Sequence, residues 1–406
     1  MYFPPLSAVY NLIRMNQKIQ KLLELSEKES RRIIGLMSGT SLDGLDIALC
    51  KISGSGLNTQ LTIEKFETVS YTEEVKNDIR GIFSRQQIDL QKLTLLNAKI
   101  GQLHAGLVLS AMKQWGVHPE DIDCIASHGQ TIYHAPKRLH KLENYPDATL
   151  QIGDGDHIAV NTGIITLSDF RQKNIAGGGE GAPLAIYGDY ILFSCKDENR
   201  ILLNIGGIAN FTKLLATGVD VICSDLGPGN TLTDALCMQY FNKPFDPEGS
   251  IARSGKVSGQ LLETMLAHPF FLEEFPKTTG PELFNTGFIE AALAASGLDL
   301  PDPRDLIATA TALTAKTITL GIKKTILNMP FTLYVSGGGC HNSYLMEQIQ
   351  NELPSVAVRL TEELGINPDA KEAALFALLA NETLCGSKVC AGIEPSLTMG
   401  KISLPD

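Results

Sequence analysis

The chain has 406 residues, a formal net charge of −11, 44% hydrophobic and 19% charged residues. That length predicts two or three domains, and that balance excludes a disordered or collagen-like chain. No basic stripe is present to neutralise phosphates, which excludes a nucleic-acid partner. The eight cysteines, Cys50, Cys124, Cys195, Cys223, Cys237, Cys340, Cys385 and Cys390, form no CxxC and sit mostly in apolar runs. They read as small core residues of a reducing compartment, not as a disulfide frame or a zinc site. No apolar run reaches the length of a membrane span, and the N-terminus lacks a basic start followed by an uninterrupted apolar stretch. The expectation is a cytoplasmic chain with no membrane partner.

Residues 6–32 carry Leu6, Val9, Ile13, Ile19, Leu22 and Leu23 near helical spacing and predict an amphipathic helix packed on the main body. From Arg32, RRIIGLMSG reads as a strand, TSLDG as a turn of small residues and LDIALCKI as the returning strand. Residues 86–114 carry an apolar stripe for one or two helices. DIDCIASHG reads as a strand ending at a polar turn, ATLQIGDGDHIAVNTG as a strand and short helix, and GIITLSDF as another strand. AGGGEGAPLA is a Gly-rich loop leading into the helix-like LAIYGDYILFS. Then NRILLNI, GG and IANFTKLL make a second hairpin. Each half therefore opens on a hairpin with small residues at its tip, the pattern of a duplicated fold.

In the second half GVDVICSD reads as a strand ending at Asp225, LGPGN as a turn, and Asn230 as the N-cap of a helix from Thr231. Residues 302–328 read as a helix capped by Asp302. FTLYVSGGG is a strand entering a glycine triplet, followed by the helix HNSYLMEQIQNEL. GINPDAKEAALFALLANETL is the last helix, with Asn367 as its N-cap and Pro368 in its first turn. The alternation makes the class α/β. The expected division is an N-terminal helical extension over 1–32, a first domain over 33–200 joined by 381–406, and a second domain over 201–380.

Four glycine-bearing segments carry candidate chemistry. In GLMSGTSLDGLD, Ser38, Gly39, Thr40 and Ser41 offer N–H groups and hydroxyls to a phosphate. Asp43 and Asp46 follow, where a carboxylate holds Mg²⁺ directly or through water. Read alone, the same tip is an ordinary Gly/Ser/Asp turn. NIGGIANFT places Gly206 and Gly207 at a second phosphate-facing tip. DLGPGN puts Asp225 where α/β folds bind ligands, as a general base or water-positioning residue; a turn-forming Asp is the other reading. SGGGCHN sets Gly337, Gly338 and Gly339 between strand and helix, so that backbone can lie flat against a planar ligand and a helix N-terminus favours an anion; a tight strand–helix turn is the other reading.

SHGQT and SDFR each follow a strand. His128, Gln130, Asp169 and Arg171 can converge on a sugar, with the Arg fork suited to a carboxylate. A structural histidine and an Asp169–Arg171 surface ion pair are the alternatives. No GxxxxGK[ST], GxSxG or HExxH occurs, which weighs against a P-loop, a serine hydrolase and a zinc protease.

GLMSGTSLDGLD, ASHGQTIYH, LQIGDGDHIA, SDFR, GGGEGAPLA, NIGGIANFT, DLGPGN, PKTTGPELF, VSGGGCHN and GINPDAKEAALFALLA occur in that order between Ile33 and Ser403. Together they resemble the 1,6-anhydro-N-acetylmuramic acid kinase family. The resemblance implies a two-domain actin/hexokinase/Hsp70-like, ribonuclease H-like fold, with ATP and sugar in a cleft between domains. It also implies Mg²⁺ and a homodimer. The implied reaction opens the 1,6-anhydro bridge with water while the γ-phosphoryl group goes to O6. The product is N-acetylmuramate 6-phosphate, in peptidoglycan recycling. By the family's motif Asp225 activates the water. Gly39 to Asp46, including Leu42, Asp43 and Gly44, matches the ATP-phosphate loop, with Asp43 toward Mg²⁺. SHGQT, with Thr131, and SDFR match the sugar-contacting side, and Asn230 joins them from the DLGPGN turn. Arg171 is the candidate for the lactyl carboxylate. Asn174, Glu180, Pro281 and the QIGDG segment depart from the family pattern, and residues through Arg32 lie outside it. An ordinary sugar kinase and a non-catalytic nucleotide switch on the same fold are the competing readings.

Overall fold

A computed structural model describes residues 16–39, 42–326, 329–386 and 395–406. The chain divides into two compact units. One holds residues up to Leu192 together with those from Asp369 onward, and the other is Phe193–Pro368. The helix Lys371–Cys385, which a boundary at 380 would split, therefore lies whole in the first unit.

In the first unit β1 (Ser30–Ser38), β2 (Gly44–Ser53) and β3 (Gln60–Ser70) form an antiparallel meander. β4 (Cys124–Ala135) adds parallel to β1. β5 (Ala148–Ile152) pairs antiparallel with the far end of β4, and β6 (Thr166–Ser168) pairs parallel with its near end. Ile33, Ile34 and Leu36 of the central β1 are fully buried, as expected for a strand covered on both faces. The helix Leu90–Trp115 covers one face through Ile100, Val108 and Met112, packed with Leu36, Ile47 and Leu49. It is one helix: Asp89 caps its start by accepting from Lys92 N at 3.1 Å, and Gly116 ends it at φ +67°.

In the second unit β7 (Arg200–Ile205), β8 (Ile208–Leu214) and β9 (Ile222–Pro228) repeat the meander. β10 (Thr332–Ser336) adds parallel to β7, and β11 (Ala357–Leu360) adds parallel to β10. The order β11-β10-β7-β8-β9 matches β6-β4-β1-β2-β3 with the same sense at every pairing. β12 (Lys401–Ser403) closes the outer edge of the first sheet against β6. The repeated 3-2-1-4-5 topology is the duplicated ribonuclease H-like architecture of the actin/hexokinase class. The long helix Pro303–Thr325, capped by Asp302 through Arg304 N at 2.8 Å, covers the second sheet with Ile318 and Ile322.

Several local expectations are corrected. The leading helix is Gln17–Glu27 within the described residues, with Leu25 buried and Ile19 and Leu23 exposed. Leu6, Val9 and Ile13 lie outside the described residues. Ser30–Arg32 belong to β1, because Arg31 is buried and anchors the helix end by donating to Leu25 O and Ser26 O. β4 does not stop at a polar turn: SHGQT lies inside it, with Gly129 taking φ +75° as the strand passes from pairing β6 to pairing β5. β9 likewise continues to Pro228, so Asp225 is in mid-strand. The last helix begins at Lys371 after a turn, with Ala370 at the cap position, so Asn367 and Pro368 precede it.

Candidate active site

The first hairpin tip is backed by a buried polar chain. Ser38 Oγ donates to Gln130 Oε1, Tyr71 Oη donates to Ser38 Oγ at 2.9 Å, and Tyr71 Oη pairs with His104 Nε2 at 2.7 Å. Gln130 Nε2 donates to Gly39 O at 3.2 Å. Burial pushes His104 down to about 4, so its ring is neutral and Nε2–H donates to the tyrosine. The Ser38 hydroxyl and the Gln130 amide, expected to face ligand, are thus committed to holding the tip in shape. Leu42 is also turned inward: its side chain is in the core and its backbone sits at φ +61°. Gly44 is needed for strand packing, since a Cβ there would meet Val69 O at 2.2 Å. Thr40 and Ser41 lie outside the described residues. No sequence signal pointed to Tyr71 or His104, because their partner is reached only through the folded sheet.

Carboxylates gather near this tip. Burial raises the pKa of Asp46, a hydrogen bond from the Thr68 hydroxyl opposes it, and the charges of Asp369 and Asp43 add to the rise. Glu372, in the first turn of the last helix, is raised by burial and then by Asp46, against the pull of Lys371 and Arg171. Carboxylates gathered this closely make the tip electronegative, as a site that takes positive charge requires. Among the described residues no three His, Cys, Asp or Glu side chains are grouped to hold a metal by themselves. Asp43 and Asp46 are oxygen donors of the kind a Mg²⁺ ion takes beside waters and substrate phosphates.

The residues expected on the sugar side separate into two pairs. Arg171 Nε donates to His128 Nε2 at 2.9 Å and Arg171 Nη1 to Gly181 O at 2.7 Å. Burial, with the guanidinium charge added, pushes His128 down to about 3, so the neutral ring accepts from Arg171 and carries its proton on Nδ1. Burial also lowers Arg171 to about 10, opposed by Glu372. Asp169, at φ +55°, pairs with Lys401 and not with Arg171. Thr131 Oγ1 accepts from Gln151 Nε2 at 3.2 Å. Where β4 changes partner, a polar cleft of ≈ 380 Å³ opens, lined by Ser127, His128, Gly129, Asp154, Asp169 and Lys401 among others. The Ser127 hydroxyl is buried there without a protein partner.

The second unit brings its three glycine segments together. Gly229 N donates to Gly207 O at 2.8 Å and Asn230 N to Gly206 O at 2.9 Å. The Asn230 side chain does not cap the helix Thr231–Phe241; its Nδ2 donates to Ile205 O at 3.3 Å. Packing by itself requires glycine at 337 and 339. A Cβ at Gly337, already at φ +82°, would meet Ile205 O at 2.7 Å, and one at Gly339 would meet Ile205 Cγ2 at 2.3 Å. Gly338 alone has room, its nearest neighbour being Asn230 Nδ2 at 3.9 Å. The following helix Ser343–Glu352 is already capped by Asn342 through Leu345 N.

Asp225 lies on β9 beside this cluster. Its Oδ2 accepts from Thr279 N at 2.8 Å and its own N donates to Lys277 O at 3.0 Å. Thr279 sits in the PKTTG segment, whose contact with Asp225 no sequence spacing could indicate. Asp234, one turn into the next helix, is raised to about 6 by burial and is another titratable group that sequence reasoning passed over.

Two ribonuclease H-like sheets, each presenting a tight hairpin tip, place the chain in the actin/hexokinase fold class. None of the seven described cysteines is in a disulfide, and no described helix is long and apolar enough to cross a membrane. The chain belongs to the anhydro-N-acetylmuramic acid kinase family, whose model matches residues 31–398. Its acceptor is accordingly an alcohol group. A protein named anhydro-N-acetylmuramic acid kinase from Pseudoalteromonas atlantica is 50% identical over 401 residues, covering 97% of this chain and all of the relative. Similarly named proteins from Pseudoalteromonas translucida and Caldanaerobacter subterraneus are 47% and 41% identical, covering 97% and 95% of this chain. The overlap with the first reaches into residues 1–32, so part of that extension is shared with a relative although the family model starts at residue 31.

Proposed function

We propose that the protein hydrolytically opens 1,6-anhydro-N-acetylmuramate and phosphorylates its O6, giving N-acetylmuramate 6-phosphate for peptidoglycan recycling in the cytoplasm, as a homodimer. The observation that carries the reading is the clamped Asp225 carboxylate. Its orientation is set by the Thr279 N–H, as a general base requires. Asp225 takes a proton from water as the water oxygen bonds to C1. The C1–O6 bond breaks, O6 attacks the γ-phosphorus of ATP, and ADP leaves with the bridging oxygen. One positioned base thus serves both bond changes, and the rest is orientation and charge stabilisation.

Backbone of the tips at Gly39 and at Gly206–Gly207, with Gly338, holds the nucleotide phosphates in this reading. Asp43 and Asp46 hold Mg²⁺ through water, which when bound neutralises phosphate charge. His128 orients Arg171 toward the lactyl carboxylate, while Asp169, Thr131 and Asn230 contact the sugar. The unit up to Leu192 with Asp369 onward carries Thr131, His128, Asp169 and Arg171, and the unit Phe193–Pro368 carries Asn230 and the base.

The reading is tested by mass spectrometry of the product formed from Mg-ATP and anhydro-N-acetylmuramate in ¹⁸O-labelled water, with unlabelled product incubated alongside to measure exchange. One ¹⁸O at the anomeric position, above exchange, is the expected result. A phosphorylated product without label would reduce the enzyme to an ordinary sugar kinase. Arg171→Met is expected to raise KM for the anhydro sugar at least ~10-fold, the loss of one charge-assisted contact, with KM for ATP unchanged. An unaltered sugar KM in steady-state assays would remove Arg171 from the substrate.

A further inference from the structure

The second unit carries a buried ammonium that the chemistry above does not use. Lys277 is 8% exposed. Its Nζ donates to Phe270 O at 2.7 Å and lies 4.3 Å from the Phe270 ring centroid, with the Phe275 and Phe271 centroids at 5.2 and 5.9 Å. An amine in such surroundings is expensive to desolvate, and an apolar side chain of similar length would fill the aromatic cage at less cost. What the ammonium adds is direction. A hydrogen bond to one carbonyl and attraction to ring faces fix where the side chain ends, which an alkyl chain does not.

The backbone of the same residue is bonded to β9. Asp225 N donates to Lys277 O at 3.0 Å. Ser224 Oγ accepts from Lys277 N at 2.8 Å and donates to Lys277 O at 3.1 Å. Two residues on, Thr279 N donates to Asp225 Oδ2 at 2.8 Å. β9 is the last strand of its sheet among the described residues, and residues 277–279 run along its outer edge. The peptide that orients the Asp225 carboxylate is thus anchored at one end by a caged ammonium.

We infer that Lys277 is a positioning residue for Asp225: the Phe270 carbonyl and the three phenylalanine rings pin its side chain, which pins residues 277–279 along β9 and holds the carboxylate in its working orientation. The inference rests on the reading of Asp225 as the base. Displacing a catalytic group by about 1 Å costs on the order of 10²-fold in rate, whereas substrate affinity set elsewhere is unaffected.

The test is steady-state kinetics with Mg-ATP and anhydro-N-acetylmuramate on Lys277→Met, Lys277→Arg and Asp225→Asn, with thermal unfolding of each. Lys277→Met is expected to lower kcat at least ~10-fold with both KM values within ~3-fold, and Lys277→Arg to recover part of the loss. Unchanged kcat in folded Lys277→Met, beside an inactive Asp225→Asn, overturns the Lys277 inference and leaves the base intact. Substantial turnover in Asp225→Asn overturns both. If Lys277→Met does not fold, Ser224→Ala takes its place by removing the hydroxyl that bridges Lys277 N and O. A kcat loss with unchanged KM values then supports the inference, and unchanged kcat overturns it.

Discussion

Asp225→Asn is expected to lower kcat by ~10² to ~10⁴-fold, the range of a lost general base, while nucleotide affinity and fold stay as they are. The substitution is isosteric. The amide oxygen can still accept from Thr279 N, and the backbone bond from residue 225 to Lys277 O does not involve the side chain. What disappears is the capacity to take a proton from water. Binding of Mg-ATP measured by calorimetry should therefore be unchanged within ~3-fold while turnover of the anhydro sugar collapses. Turnover within a few-fold of the parent protein would show that another group activates the water, and half-buried Asp234 would be the next to replace.

Gly35→Ala is expected to give the largest loss of stability from a single added methyl group. Gly35 lies on β1, paired with Ala48 on one side and Ala126 on the other. A Cβ there would stand 1.9 Å from Ala373 O and 3.1 Å from Ala377 N, both backbone atoms of the helix Lys371–Cys385. Backbone cannot rotate away as a side-chain end can, so the whole helix must retreat from the sheet. Overpacking of this kind costs about 3 kcal/mol or more. In a unit of this size that lowers the midpoint of thermal unfolding by roughly 6–12 °C. Because Glu372 rides on the first turn of the same helix, activity should fall as well. A midpoint within 2 °C of the parent, on the scale of ordinary surface changes, would mean that the helix yields without strain.

How much was legible in advance follows the range of the force involved. The two hairpins were readable because alternation and small-residue turns act within a few positions. The helix Pro303–Thr325 was readable because Asp302 reaches only to Arg304 N. The strand ends at SHGQT and DLGPGN were not readable. There polar residues continue as β4 and β9 only because neighbouring strands accept their backbone groups. Asn367 has the chemistry of a helix cap, yet the helix starts at Lys371, after the turn that follows it.

The sequence by itself determined the α/β class, the duplication of a strand–tip–strand unit and the family, since ordered local motifs specify these. The tertiary structure decided which atoms those motifs have to offer. It committed the Ser38 hydroxyl to Gln130, 92 positions away, turned Arg171 to His128 and Asp169 to Lys401, and placed Thr279 on Asp225 across 54 positions. It also showed that Gly337 and Gly339 serve packing against Ile205, as Gly35 serves the last helix. These partners meet only when sheets and helices close-pack, so the hydrogen bonds and clearances that fix them are properties of the folded chain and have no counterpart in local spacing.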